Sequence, residues 1–223
     1  MDIIQAIQER HSVRSYQDKK IAPEIVEALQ EKIAAINQLS GLNIQMFTDE
    51  PQAFKSLLAH YGKFRNAKNY IALVGEKSED LDERCGYYGE KLVLTMQMLG
   101  LNTCWVALTF AKGKIPLKLQ AKEKLVCVIA FGYGETKGIA HKNKPLEKLY
   151  KAAEPIPQWF RNGVEMAALA PTAVNQQKFL FTLIGDRQVK AEATGGFYSQ
   201  IDLGIVKLHF ELGAGKENFE WVD

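Results

Sequence analysis

The sequence predicts a chain of mixed helices and strands built on apolar strands covered on both faces, and three observations carry this. Two continuous apolar runs of strand length, TCWVALTF (103–110) and KLVCVIAFGYG (124–134), read as central strands. Segments with apolar residues at helical spacing lie between the strand-like stretches. The last third of the chain then starts the pattern over, as an internal repeat would.

Taken in order, residues 2–11 read as a short helix with Asp2 as N-cap and Ile3, Ile4 and Ile7 as its apolar stripe. A second helix starts near Pro23 and runs towards Leu39 on Ile25, Leu29, Ile33 and Ile36. NIQMF (43–47) reads as a strand, PQAFKSLLAHYG (51–62) as a helix stopped by Gly62, and YIALVG (70–75) as an apolar strand. Residues 81–99 form a long helix ending at Gly100. In the tail, a helix through Trp159, Phe160, Val164 and Ala167 leads into LAPTAVNQQKFLFTLIG (169–185), and a last helix, 199–212, ends at Gly213. The repeat rests on two pairs. GLNIQMF (41–47) and AVNQQKF (173–179) share Asn-x-Gln-x-Phe, and GYYGEKLVLTMQMLG (86–100) and GFYSQIDLGIVKLHFELG (196–213) share Gly-aromatic-Tyr and a closing Leu-Gly. The expected packing sets the last helix against the helix of 81–99.

The bulk properties narrow the function classes. With 223 residues and 47% apolar residues, a sizeable core is expected. A net charge of +2 does not make a polycation, so nucleic acid is not the default partner and any basic site is local. Cys85, Cys104 and Cys127 are odd in number and lack C-x-x-C spacing, which fits buried thiols better than disulfides or a zinc site. The opening MDIIQAIQER is charged from residue 2 and has no apolar run of a secretory leader, and no stretch nears the ~20 apolar residues of a membrane span. A cytoplasmic protein without membrane or nucleic-acid partners is the expectation.

Four stretches carry chemistry. RHSVRSY (10–16) sets two guanidiniums four residues apart, on one face if the first helix persists, with the Ser12 hydroxyl between them. Such forks suit phosphate oxygens, although a basic cluster is by itself more often a solvated patch. APTAVNQQKF (170–179) offers Thr172, Asn175 and Gln177 on a turn between helix and strand, a place where polar side chains often only satisfy their own backbone. LGLNTCWVAL (99–108) is a core strand that could present backbone N–H groups to a ring system. FGYGETKGIAHKNKPLEKLY (131–150) ends a buried strand at a glycine turn and meets His141, Lys142 and Lys144 before Pro145.

Together these four stretches resemble the FMN-dependent nitroreductase family. That family has an Arg-x-Ser-x-Arg/Lys helix end, an Ala-Pro-Ser-x-x-Asn-x-Gln-Pro-Trp turn, a Gly-Leu-Gly-x-Cys-Trp-Ile-Gly strand and a Gly-Tyr-Pro strand end followed by a basic segment. One departure is informative. The Ala-Pro turn is missing after the second helix, where QLSGLNIQMF (38–47) stands, and its better copy lies in the second half, with Lys178 and Phe179 in place of the family's proline and tryptophan. The sequence is therefore similar to a branch in which one chain imitates the usual dimer.

The resemblance implies an α+β fold with a central, mostly antiparallel sheet between helices, duplicated internally. Residues 1–150 would form a first half with the FMN phosphate site, and 151–223 a shortened second repeat. Arg10, His11, Ser12 and Arg14 would hold the phosphate, ribityl chain and pyrimidine edge, Arg14 placing positive charge near N1/O2. Lys142 and Lys144 would complete the phosphate clamp. Pro171, Thr172, Ala173, Asn175 and Gln177 would reach the flavin from the second half, and Val106, Ala107 and Leu108 would pass backbone along its N5 edge. The implied reaction moves hydride from NADH or NADPH through FMN to a nitroaromatic, quinone or similar acceptor, with no side chain required as acid or base. Two other readings stand beside it: an FMN-binding protein without turnover, such as a sensor or flavin store, and a non-flavin interaction protein that keeps the fold. Because the borrowed turn is supplied in cis, a monomer is expected over a homodimer.

Overall fold

The computed structural model describes residues 1–55 and 61–222. The chain forms two compact units that are not contiguous halves. Unit one holds Met1, Arg10–Leu81 and Leu92–Ile139; unit two holds Asp2–Glu9, Asp82–Lys91 and Ala140–Asp223. The division expected at residue 150 thus gives way to one at Ala140, and two stretches of the first half join the tail's unit. Both are helical, so they contribute packed faces rather than strands.

In unit one, α2 (Pro23–Ser40) starts on a proline, as expected, and buries Leu29, Ile33 and Ile36. It stops at Gly41, whose left-handed backbone (φ 68°) lets its N–H donate to Asn37 O at 2.9 Å. The sheet follows the order β1 (Gln45–Phe47), β2 (Asn69–Glu76), β4 (Glu123–Gly132), β3 (Asn102–Val106), and every pairing is antiparallel. β2 and β4 are central and almost wholly buried, so their continuous apolar runs are explained. β3 is an edge strand, not a central one, and ends at Val106; residues 107–110 leave the ladder. Of the helix expected over 51–62, residues 56–60 lie outside the described residues; before them a 3-10 turn spans Gln52–Phe54.

Unit two contains α1 (Ile3–Glu9), where Asp2 caps as expected. Asp2 Oδ1 accepts from Gln5 N at 2.8 Å, and Asp2 N donates back to Gln5 Oε1 at 3.1 Å. The first ten residues of the long helix α3 (Leu81–Met98) after Leu81 also belong here, together with α4 (Gln158–Ala168) and α5 (Ser199–Ala214). The unit has its own sheet, β5 (Tyr150–Lys151), β6 (Phe179–Ile184), β7 (Gln188–Ala193) and β8 (Glu220–Val222), parallel at both ends and antiparallel in the middle. The fold is α+β and mostly antiparallel, as expected, but among the described residues the strands form two four-stranded sheets with different connectivities.

The last helix lies against the long helix, as expected, through glycine. A Cβ on Gly204 would stand 1.9 Å from Glu83 O, and one on Gly86 would stand 2.0 Å from Ile201 O, so α3 and α5 cross backbone to backbone. Around the crossing, Lys207 Nζ donates to Glu83 Oε1 at 2.6 Å and Tyr87 OH donates to Glu211 Oε2 at 2.5 Å. All three cysteines are buried and none forms a disulfide.

Candidate functional site

In unit one, the arginines share a side for a different reason from the expected one. α1 ends at Glu9, and residues beyond it run extended. Ser12 bridges Thr103 in parallel, and Val13 N donates to Thr103 O at 2.9 Å, so the segment lines the open edge of β3. Extended backbone alternates its side chains, which sends Arg10, Ser12 and Arg14 one way and Val13 the other. Val13 is buried in the core, and Tyr16 OH donates to its carbonyl at 2.6 Å. The charges converge on Cys104 of β3. Burial pushes that thiol's pKa up, while the guanidiniums of Arg14 and Arg10 and a hydrogen bond with Ser12 pull it down.

Arg10 is only 3% exposed, which removes it from the class of solvated surface arginines; Ser12 and Arg14 are exposed. The segment is clasped on its far side by the end of β4. Gln17 N donates to Tyr133 O at 2.8 Å, Glu135 N to Ser15 O at 3.0 Å, and Ser15 Oγ to Glu135 Oε2 at 2.6 Å. His11 packs against Gly138, where a Cβ would fall 2.7 Å from its own. Val106 is buried in register with Val128, Ala107 is half-buried, and Leu108 is 70% exposed beyond the strand end.

In unit two, the turn 171–177 and the loop 142–144 are tied into one piece. Lys144 N donates to Gln177 Oε1 at 2.8 Å, and Lys144 Nζ to Gln177 O at 2.7 Å. Gln177 Nε2 donates to Lys142 O and to Asn175 Oδ1, both at 2.8 Å, and Asn175 Nδ2 donates to Lys142 O at 3.0 Å. Thr172 Oγ1 accepts from Gln177 N at 3.0 Å. Gln177 is buried and both its amide hydrogens are used within the chain, so it shapes the turn rather than reaching outward. Lys144 likewise spends an ammonium hydrogen on the turn. Pro171 is buried, whereas Lys142 and Asn175 are exposed and Thr172 and Ala173 half-buried. The turn holds Val174, Asn175 and Gln177 at φ of 47°, 54° and 44°, left-handed values that a β-branched valine seldom adopts.

Sequence reasoning missed two residues here. Asp202, in the first turn of α5, is 4% exposed and accepts from Ala173 N at 2.9 and 3.1 Å and from Gln176 Nε2 at 2.7 Å. Burial raises its pKa from 3.8 to about 6, against those hydrogen bonds. The folded chain thus holds this proton more tightly than the unfolded chain. The stability drawn from this group is full below about 3.8 and lost as pH rises through about 6. Cys104 is the other, legible only as the cysteine of an apolar strand. A cleft of about 580 Å³ beside α2 and β1 in unit one contains none of the expected site residues. Its Asn37, Asn43 and Gln45 amides are occupied by backbone groups of Ile44 and Lys118.

The donor set in each unit fits a phosphorylated ring compound: two guanidiniums and a hydroxyl on one side of β3 in unit one, and a rigid polar turn beside Lys142 in unit two. No curated protein matches the chain. Among solved structures, a putative nitroreductase from Thermotoga maritima is 24% identical, with TM-score 0.68 over 97% of this chain and 85% of its own. A putative nitroreductase in complex with FMN from Desulfovibrio desulfuricans is 24% identical, with TM-score 0.56 over 70% of this chain and 99% of its own. An FMN-dependent nitroreductase from Clostridium difficile is 20% identical, with TM-score 0.51 over 62% of this chain and 91% of its own. These likenesses establish the nitroreductase fold. The family model described as "Putative TM nitroreductase" matches residues 2–214, and the chain belongs to that family.

Proposed function

We propose that the protein is an FMN-dependent oxidoreductase that transfers two electrons from NADH or NADPH to a nitroaromatic, quinone or similar acceptor. The observation that carries this reading is the convergence of Arg10, Ser12 and Arg14 beside Cys104, with Arg10 buried. Bound FMN would supply the redox chemistry. The protein's part is to bind and orient it. Arg10 and Ser12 would hold phosphate oxygens, with Lys142 adding charge. Arg14 would set its cation at the pyrimidine edge, and His11 would line the ribityl chain. Thr172, Ala173 and Asn175 would contact the ring from the turn that Pro171 and Gln177 shape and Lys144 braces. Val106, Ala107 and Leu108 would supply backbone along the ring edge.

The purified protein should be yellow, and NADH or NADPH should bleach it under anaerobic conditions. A yellow protein that neither nucleotide bleaches would be a flavin-binding protein without turnover, and a colourless apoprotein that takes up no FMN would sink the reading. Arg10→Ala should weaken FMN binding about ten- to hundred-fold, equivalent to roughly 1.5–3 kcal/mol for a charge-assisted contact. An unchanged dissociation constant in an apoprotein titration would return RHSVR to the status of a structural segment. We also propose a monomer, so flavin retention should not fall on dilution. Loss of FMN in step with a falling light-scattering mass would contradict that.

A further inference from the structure

We infer that Asp202 is a positioning residue for the turn at 171–177: its carboxylate holds Thr172, Ala173 and Asn175 in place for FMN, and flavin affinity follows its ionisation. This rests on the FMN reading above.

The geometry is specific. The two carboxylate oxygens take the Ala173 N–H and the Gln176 amide, at 2.7–3.1 Å. The same Gln176 Nε2 also donates to Phe197 O at 2.7 Å, so one half-buried amide ties the turn and the loop that leads into α5 to Asp202. The slot for Gln176 is built to size. A Cβ on Gly196 would stand 2.1 Å from Gln176 Oε1, and Gly196 has φ of 99°, a value suited to glycine. The turn needs an anchor, because three of its non-glycine residues sit in left-handed backbone that local preference disfavours.

What bears on the Asp202 proton is, in order, burial, the Gln176 amide and the Ala173 N–H, and no charged side chain is among these causes. With its pKa at about 6, the group loses its charge in the folded protein as pH falls through that value. A protonated oxygen is then a donor facing N–H donors, and one anchor contact is lost. Flavin affinity should therefore weaken as pH falls through about 6.

The test is FMN titration of the apoprotein between about pH 5 and about pH 8 for wild type, Asp202→Asn and Gln176→Ala. The FMN phosphate titrates in the same window, alike in all three proteins, so ratios of dissociation constants isolate Asp202. Asp202→Asn sets an amide donor against Gln176. It should bind about tenfold more weakly than wild type near pH 8, with the ratio falling towards one near pH 5. Gln176→Ala removes a hydrogen bond that favours the carboxylate, so its inflection should move to higher pH, a shift that general loosening of the turn would not produce. It also serves if Asp202→Asn fails to fold. A ratio constant with pH, or an inflection unmoved in Gln176→Ala, overturns the inference alone. Absence of FMN binding in wild type at every pH overturns the FMN reading, and this with it.

Discussion

Gly204→Ala should be the most damaging single-methyl change in the chain. The added Cβ would stand 1.9 Å from Glu83 O and 2.6 Å from Tyr87 N, both backbone atoms, so no rotamer change relieves the clash. α3 and α5 must move apart, and the contacts flanking the crossing, Lys207 with Glu83 and Tyr87 with Glu211, stretch with them. Overpacking of a tight core costs about 1–3 kcal/mol and sometimes more, and backbone against backbone belongs at the top of that range. Gly113→Ala is the control, because a Cβ there has nothing within 4 Å and the backbone is not left-handed. Urea denaturation should show a large drop in midpoint for Gly204→Ala and almost none for Gly113→Ala. Equal midpoints would mean that the two helices do not meet as closely as described.

His209→Ala should cost about as much by another route. His209 and Glu90 are both fully buried, and the ring joins three helices of unit two: Nε2 lies 2.9 Å from Glu90 Oε1 on α3, and Nδ1 lies 3.2 Å from Met166 O on α4. A carbonyl can only accept, so the contact with Met166 O places a hydrogen on Nδ1, and Nε2 faces the Glu90 carboxyl. Removing the ring takes away the imidazole's hydrogen bond to the fully buried Glu90 carboxyl and leaves a cavity. Breaking a buried pair on one side typically costs about 3–5 kcal/mol, while replacing both partners with apolar residues of similar size is often neutral. The double variant Glu90→Leu/His209→Phe should therefore recover much of the stability that His209→Ala loses. Equal instability in both would point to packing volume rather than to the buried polar pair.

The buried Glu90–His209 contact and the Gly86–Gly204 crossing are 100 or more residues apart in sequence, and nothing local marks either. In sequence, Glu90 reads as an ordinary exposed helical glutamate and His209 as one of four histidines. The same holds for Asp202, which reads as a favourable acid in a helix's first turn, yet its partners are Ala173 and Gln176 on a distant turn. Local features were legible. Asp2 caps α1, Pro23 starts α2, and β2 and β4 carry continuous apolar runs because both of their faces are covered. The short strands β5, β7 and β8 were not foreseen, since QVKAEA and EWV carry little apolar signal and are held by pairing with neighbours.

For the candidate site, the sequence by itself determined the residue types, two guanidiniums with a serine between them and a polar turn after Ala-Pro, and with them the resemblance that the family match confirms. It also determined the helices α1 to α5, because period and capping are properties of neighbouring residues. Only the tertiary structure decided how Arg10 and Arg14 come to share a side, since the i, i+4 face of a helix and the alternation of an extended segment place them equally well, and pairing with Thr103 selects the second. It alone decided that Gln177 and Lys144 turn inward, because whether an amide or ammonium is consumed depends on donors and acceptors supplied by segments more than thirty residues away. Hydrogen-bond satisfaction of a buried group belongs to the assembled fold, and sequence spacing carries no record of it.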